Sequence, residues 1–273
     1  MPALIFDCDG VLADTEQDGH LPAFNAVFEQ FDLPVRWDVA TYAEKVRIGG
    51  GKERLASILT DEFVRDAGLP VDPDEQREIV AQWHQAKTAV YTGLVNDGVM
   101  PARPGIARIV AEAHAAGWRL AVASTSARPS VEAVLRHAVG DDLASEFRIF
   151  AGDIVPKKKP SPDIYLLAVS ELGVSPDECV VIEDSEVGLR AATSAGLRTV
   201  VTVSGFTRAE HFSGASLVLS SLGEPEAPTT VLEDPLSLSP VPFVDVTVLT
   251  AVLAHARPPR SEAVAMKELE NQQ

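Results

Sequence analysis

Cysteine is nearly absent from this chain. Cys8 and Cys179 are the two thiols, far apart and without a CxxC spacing, so neither a thiolate zinc site nor a disulfide framework can be built. Each lies beside an apolar, strand-like run and reads as a small core residue of a protein kept in a reducing compartment. Basic residues are also scarce. Lys and Arg number 23 against 40 Asp and Glu, a formal net charge of −17 that excludes nucleic acid and anionic membrane surfaces as partners. No apolar run reaches the roughly 18 residues of a membrane span. The N-terminus runs straight into a core strand and leaves no room for a signal or transit peptide. The expected compartment is the cytoplasm, or the plastid stroma if a leader has been trimmed. With 273 residues, the chain can form one large domain or a core with an insertion.

What is present is a change of texture along the chain. An apolar strand over 3–6 leads into Asp7-Cys8-Asp9-Gly10. Phe24, Val27, Phe28 and Phe31 fall at helical spacing and predict a helix over 21–31. Gly49-Gly50-Gly51 interrupts that pattern, which resumes over 52–63. Asp72-Pro73-Asp74-Glu75 starts a long helix reaching about Tyr91. No strand pattern occurs from Asp14 to about residue 101, a block too long to be a loop.

After Pro104-Gly105 helices and strands alternate. Helices are predicted over 106–116, from a cap at Ser161-Pro162-Asp163 to Leu172, and over 187–195. Strands are predicted over 120–123, 149–152, 180–182 and 199–203. This alternation predicts an α/β fold, a doubly wound parallel sheet with helices on both faces. Residues 1–14 and 99–223 form its core, 15–98 an inserted helical cap and 224–273 a Pro-rich C-terminal extension. Within that extension, 243–256 is the apolar segment expected to dock as a helix or strand, and 257–273 are expected to fray.

Ligands of an open parallel sheet bind beyond the carboxyl ends of its strands. Those ends carry Asp7 and Asp9, Ser124, the Lys157-Lys158-Lys159 turn, and Glu183-Asp184. Carboxylates, a hydroxyl and an ammonium at one edge suit phosphoryl transfer, which needs a placed nucleophile and neutralised phosphoryl oxygens. Asp7 can attack phosphorus to form an acyl phosphate. A carboxylate is repelled by a phosphate dianion unless a cation stands between them, and Mg²⁺ bridging Asp7, Asp184 and the phosphate fills that need. Asp9, two residues on, faces the same side of the extended chain as Asp7. It can protonate the leaving oxygen and then deprotonate the attacking water. Lys159 adds positive charge, and the hydroxyl and amides around Ser124 and Thr125 bind phosphoryl oxygens.

Asp7-Cys8-Asp9-Gly10-Val11-Leu12 resembles the DxDGxL signature of the haloacid-dehalogenase-like superfamily. Ser124, Lys159 with Pro160, and Glu183-Asp184-Ser185 follow in the order of its remaining three motifs, so that the likeness spans about 3–222. The resemblance implies Asp7 as nucleophile, Asp9 as acid/base and Asp184 as metal ligand. It further implies that Asp9 meets the metal through its backbone carbonyl and that Glu183 supports the metal shell. A narrower resemblance, to the CbbY-type subgroup, rests on Gly49-Gly50-Gly51-Lys52-Glu53-Arg54, Glu16 with His20, and Lys157-Lys158-Lys159-Pro160. It implies a xylulose-1,5-bisphosphate phosphatase that clears a Rubisco-inhibiting by-product of the Calvin cycle. One phosphate would sit at Mg²⁺ and the other against the cap. Amides of Gly50 and Gly51 would form an anion nest with Lys52 or Arg54 alongside. Glu16, His20, Tyr42 and Arg47 would contact the sugar or the distal phosphate. Leu21-Pro22 follow His20 where the subgroup usually has Arg, so either another cation takes that place or the contact is lost and the substrate differs.

Plainer roles compete with these. Ser124 and Asp184 could cap the helices that follow them. The triple glycine could be a tight corner between helices, and His20 a packing residue. Lys157 and Lys158 read as solvated with Lys159 turned inward, and Lys87 reads as solvated on a long polar helix. The alternatives to a phosphatase are a β-phosphoglucomutase-like isomerase and a non-catalytic sugar-phosphate-binding regulator. The expected protein is a monomer whose partner is a small sugar phosphate.

Overall fold

The computed structural model describes residues 1–255. In chain order, β1 (Ala3–Phe6) leads through a π-helical turn (Glu16–His20) into five helices: α1 (Leu21–Gln30), α2 (Val39–Lys45), α3 (Gly51–Ala56), α4 (Asp61–Asp66) and α5 (Pro73–Asn96). Helix and strand then alternate: α6 (Ile106–Ala115), β2 (Arg119–Ser124), α7 (Arg128–Ala144), β3 (Phe147–Ala151), α8 (Asp163–Leu172), β4 (Cys179–Glu183), α9 (Glu186–Ser194) and β5 (Arg198–Thr202). Last come β6 (Leu217–Leu219), β7 (Val231–Glu233) and α10 (Val246–Ala254). No helix among the described residues is long and apolar enough to cross a membrane.

The described strands form one sheet in the order β3-β2-β1-β4-β5-β6-β7, parallel except for the antiparallel pair β6–β7. The chain winds from β1 outward through β2 to β3, then returns to place β4 on the other side of β1. The topological switch therefore lies between β1 and β4, whose carboxyl ends bear Asp7 and Glu183. This is where an open sheet leaves a crevice for a ligand.

Alternation along buried strands sorts their side chains onto two faces. Leu4, Phe6, Val122, Val180 and Ile182 face a cluster completed by Ile109 of α6, Leu135 of α7 and Leu249 of α10. Ala3, Ile5, Ala121 and Val181 face the other cluster, with Ile164 and Tyr165 of α8 and Ala191 of α9. The smaller residues there let α8 and α9 lie close to the sheet. Cys8 and Cys179 are buried free thiols, one in each cluster.

Helices α1 to α5 surround a third, aromatic cluster that includes Phe24, Phe28, Trp37, Tyr42 and Trp83. The Asn25 amide clamps Trp37 by bonding both its N–H and its carbonyl at 2.8 Å. Helix starts follow side-chain caps: Asp38 accepts from Thr41 N–H at 2.7 Å, Thr60 from Phe63 N–H at 3.2 Å, and Asp72 from Asp74 N–H at 2.9 Å.

Several expected boundaries move. The helix expected over 52–63 is split, because Thr60 caps a fresh start for α4. The helix expected to end near Tyr91 continues to Asn96. Ser161 does not cap α8; its hydroxyl donates to the Asp163 carboxylate at 2.5 Å. The sequence reading gave no helix for α7, whose apolar stripe is weak and whose path kinks at Gly140. The docking segment in 243–256 is helical, as α10, and 257–273 lie outside the described residues.

Candidate active site

The site grows from the end of β1. Asp7 N–H still pairs with the Ile182 carbonyl at 2.9 Å, so Asp7 is held by the sheet. The chain then turns on Gly10, at φ +78°, where any Cβ would collide with the Asp184 carboxylate. Only glycine permits both this backbone and this approach. Arg103 fixes the turn from beneath by donating to the Gly10 carbonyl, to Val203 O at 2.6 Å and to Ser220 O at 2.7 Å.

Lys159 lies between two carboxylates, its Nζ 2.7 Å from both Asp7 Oδ1 and Glu183 Oε1. Glu183 is wholly buried. Its Oε1 also accepts from Tyr165 OH at 2.6 Å, and its Oε2 from Asp184 N–H at 3.1 Å and Ser185 Oγ at 3.3 Å. With both oxygens so engaged, Glu183 shapes the cluster from behind. Gly188 makes room for it, since a Cβ there would strike the carboxylate.

Asp7, Glu183 and Asp184 each offer an oxygen within 4.8 Å of the others. Burial pushes the Asp7 carboxyl up to about 7 even though Lys159 pulls it down, with Glu183 and Asp9 pushing further. Asp184 is raised well above the carboxylate range by burial and then by Glu183 and Asp7. Two carboxylates held apart from their ordinary ionisation by burial and mutual repulsion form a hard-oxygen set that a small divalent cation would relieve. The residues present fit such an ion.

Asp9 is in the opposite state. Burial would raise its pKa, but the charge and hydrogen bond of His20 and the hydroxyls of Ser126 and Thr15 hold it well below the usual range. Thr15 Oγ1 donates at 2.6 Å, His20 Nε2 lies at 2.8 Å and Tyr91 OH at 3.3 Å, and the Ser126 hydroxyl takes the second oxygen. Ser124 Oγ accepts from Ser126 N–H at 3.1 Å and so shapes the turn that delivers Ser126.

Across from these groups the helices contribute a charged trio. Arg54 reaches Glu16 at 3.0 Å and Tyr42 OH at 2.7 Å, while Tyr42 OH donates to Glu16. Burial opposes the charge of Glu16, but Arg54 and then His20 keep its carboxyl below the ordinary value.

Between the two sides is a cavity of ≈ 130 Å³. From the sheet it is lined by Asp7, Asp9, Ser124, Thr125, Lys159 and Asp184. From the helices it is lined by Glu16, His20, Arg47, Gly50, Gly51 and Arg54. Three of the residues proposed from sequence do not line this cavity. Tyr42 is fully buried behind Glu16, and Glu183 behind Lys159. Lys52 pairs with Asp153 at the outer rim.

Two expectations are corrected. Lys158 is not simply solvated, since it binds Glu53 at 2.7 Å and Asp153 at 2.9 Å. Lys87 is buried, 5% exposed, with Nζ 2.5 Å from His20 Nδ1 and over the rings of Tyr91 at 4.6 Å and Phe24 at 4.9 Å. The signal was available: Trp83, Lys87 and Tyr91 recur every four residues along one buried stripe of α5. Ser126, Thr15, Tyr91, Arg103 and Phe206 were also missed. For Ser126 the signal was its place beside Ser124 at a strand end, and for Thr15 its closeness to Asp9 in the chain; the others are set by contacts distant in sequence.

A family model described as haloacid dehalogenase-like hydrolase matches residues 1–196. The chain is 46% identical over 223 residues to a CBBY-like protein of Arabidopsis thaliana, covering 82% of this chain and 70% of that protein. It is 44% identical over 223 residues to protein CbbY of Cereibacter sphaeroides, covering 81% and 93% respectively. Among solved structures it is similar to a CbbY variant from Rhodobacter sphaeroides in complex with xylulose-(1,5)bisphosphate. That match has a TM-score of 0.73 and 42% identity, and covers 81% of this chain and 95% of the other.

Proposed function

Because the chain belongs to the haloacid dehalogenase-like hydrolases, we propose that this phosphatase removes one phosphate from a sugar bisphosphate, xylulose-1,5-bisphosphate first among them, in a Mg²⁺-dependent reaction. One observation carries the reading. A single cavity has the Asp7, Lys159 and Asp184 cluster on one wall and Arg47 with the Gly50-Gly51 backbone on the other. Such a cavity suits a substrate with an anion at each end. Arg47 makes no direct ion pair among the described residues, whereas Arg54 is held by Glu16. Arg47 is therefore the cation we assign to the distal phosphate, in place of the arginine missing after His20.

In the proposed reaction an Asp7 oxygen attacks phosphorus and the phosphoryl group moves to that carboxylate as the sugar oxygen departs. Lys159 balances charge at Asp7, and the Ser124 and Thr125 turn holds phosphoryl oxygens. Asp9 gives the leaving oxygen its proton and then takes one from the water that hydrolyses the aspartyl phosphate. Its held-down pKa suits the second step. For the first, the phosphate dianion arriving beside it raises that pKa, by the same repulsion that Asp9 exerts on Asp7. Asp7, Asp184 and the Asp9 carbonyl would hold Mg²⁺, which would supply the charge that lets a carboxylate meet a phosphate dianion. The α1–α5 unit acts as a cap that closes over the sheet edge and limits bulk water.

The test is phosphate release from a series of sugar mono- and bisphosphates, with Mg²⁺ and after chelation. The bisphosphate should be turned over with the highest kcat/KM, chelation should abolish release, and Asp7→Asn should be inactive while folded. Equal kcat/KM for mono- and bisphosphates would remove the two-anion reading.

A further inference from the structure

The aromatic cluster of the α1–α5 unit contains one side chain supplied from far outside it. Phe206, in the loop after β5, packs among residues that otherwise all come from positions 21–86. Its ring meets Tyr42 edge-on, with centroids 5.8 Å apart and planes at 83°. The same ring lines the cavity. Tyr42 in turn bonds Glu16 and Arg54, so the contact bears directly on the charged trio opposite Asp7.

The residues on either side of Phe206 reach two other parts of the site. Gly205 N–H donates to Asp14 Oδ2 at 3.1 Å, where the chain leaves the Asp7 loop for the helices. Ser204 lines the same cavity as Asp184. The loop is stiff. Thr207 Oγ1 accepts from Ser204 N–H at 2.9 Å, and Phe212 anchors the following turn against Val201 and Val203 of the sheet.

We infer that Phe206 is a positioning residue that couples the 204–207 loop at the sheet edge to the α1–α5 unit, setting the Tyr42, Glu16 and Arg54 wall of the cavity. The inference deepens the proposed phosphatase reading and rests on it. Phe206 does not touch the reacting atoms. It seats Tyr42 and hence Glu16 and Arg54.

The experiment compares wild type, Phe206→Ala and Phe206→Leu on xylulose-1,5-bisphosphate and on p-nitrophenyl phosphate, an aryl ester too small to need the helical wall. Phe206→Ala should lower kcat/KM for the bisphosphate by about tenfold or more, with KM raised, and change the aryl ester by no more than about twofold. Phe206→Leu should recover most of the loss. Hydrogen exchange gives a readout free of turnover: Phe206→Ala should speed exchange in α2 and in 204–207 and leave β4 unchanged. Equal losses on both substrates, or exchange in α2 no faster than in wild type, overturn the coupling. A wild type that hydrolyses neither ester with Mg²⁺ sinks the phosphatase reading instead, and the exchange comparison still decides the coupling.

Discussion

A lysine amid rings and a histidine is a costly arrangement, and Lys87 shows what the cost does. Burial draws its pKa down from 10.5 to about 7, although Asp9 and Glu16 pull it upward. The unfolded chain then binds more protons than the folded one between about pH 7 and 10.5, so this residue makes stability rise with pH across that window. Its favourable contribution is complete above 10.5 and lost as pH falls to about 7. Lys87→Met should remove that slope: the variant's melting temperature gains on wild type as pH falls from about 10 to 7, and a difference independent of pH would refute the burial of the charge. The acids and Lys159 could be read from sequence because strand ends of a parallel sheet converge by geometry alone. Lys87 could not be found by counting polar neighbours, since α5 is polar overall and only its four-residue stripe reveals a buried face. Tyr42 illustrates the reverse, a residue drawn into the sequence reading whose hydroxyl serves Glu16 from behind the cavity.

At the scale of elements, the rim between α3 and the 153–158 turn is a mesh of charges. Lys52 pairs with Asp153, and Lys158 with both Glu53 and Asp153. The hydrogen bonds of Lys52 and Lys158 hold the Asp153 carboxyl down to about 2. Asp153 is half exposed, so each pair is weak alone and screened by salt. Their use is to join the helical wall to the turn that carries Lys159. Asp153→Asn should therefore raise KM for the bisphosphate about two- to fivefold at low ionic strength, and the effect should fade in about 0.5 M salt. A salt-independent change would place the effect in packing instead of charge. Elements were legible where their pattern was unbroken, as in the apolar runs of β1 and β4. The gap between α3 and α4 was hidden because Ile58 and Leu59 continue the apolar texture, and the decision falls to the Thr60 cap.

For the whole molecule the question is what completes the sheet. The family match ends at residue 196, yet the chain continues into the same core. Strand β7 adds an antiparallel edge, and Val244, Leu249 and Val252 are fully buried against the face that also holds Leu4 and Phe6. Arg108 ties this segment down through Gly223 O at 2.8 Å, Val244 O at 2.9 Å and Glu224 at 3.1 Å, and Arg198 holds the His255 carbonyl at 2.8 Å. The apolar run in the Pro-rich extension is expected to dock, but sequence alone does not show which face of a sheet still lacks a cover. Each buried aliphatic side chain is worth about 1.5–3 kcal/mol, and a domain of this kind is stable by only about 5–15 kcal/mol. Ending the chain after residue 223 should therefore remove much of the margin and leave the guanidinium of Arg108 without the Val244 carbonyl and Glu224. The chain 1–223 should melt far below 1–255 or fail to fold, whereas 1–255 should match the full chain in melting temperature and turnover. Thermal unfolding followed by circular dichroism decides it: if 1–223 melted with the full chain, α10 would be an ornament on a core already complete without it.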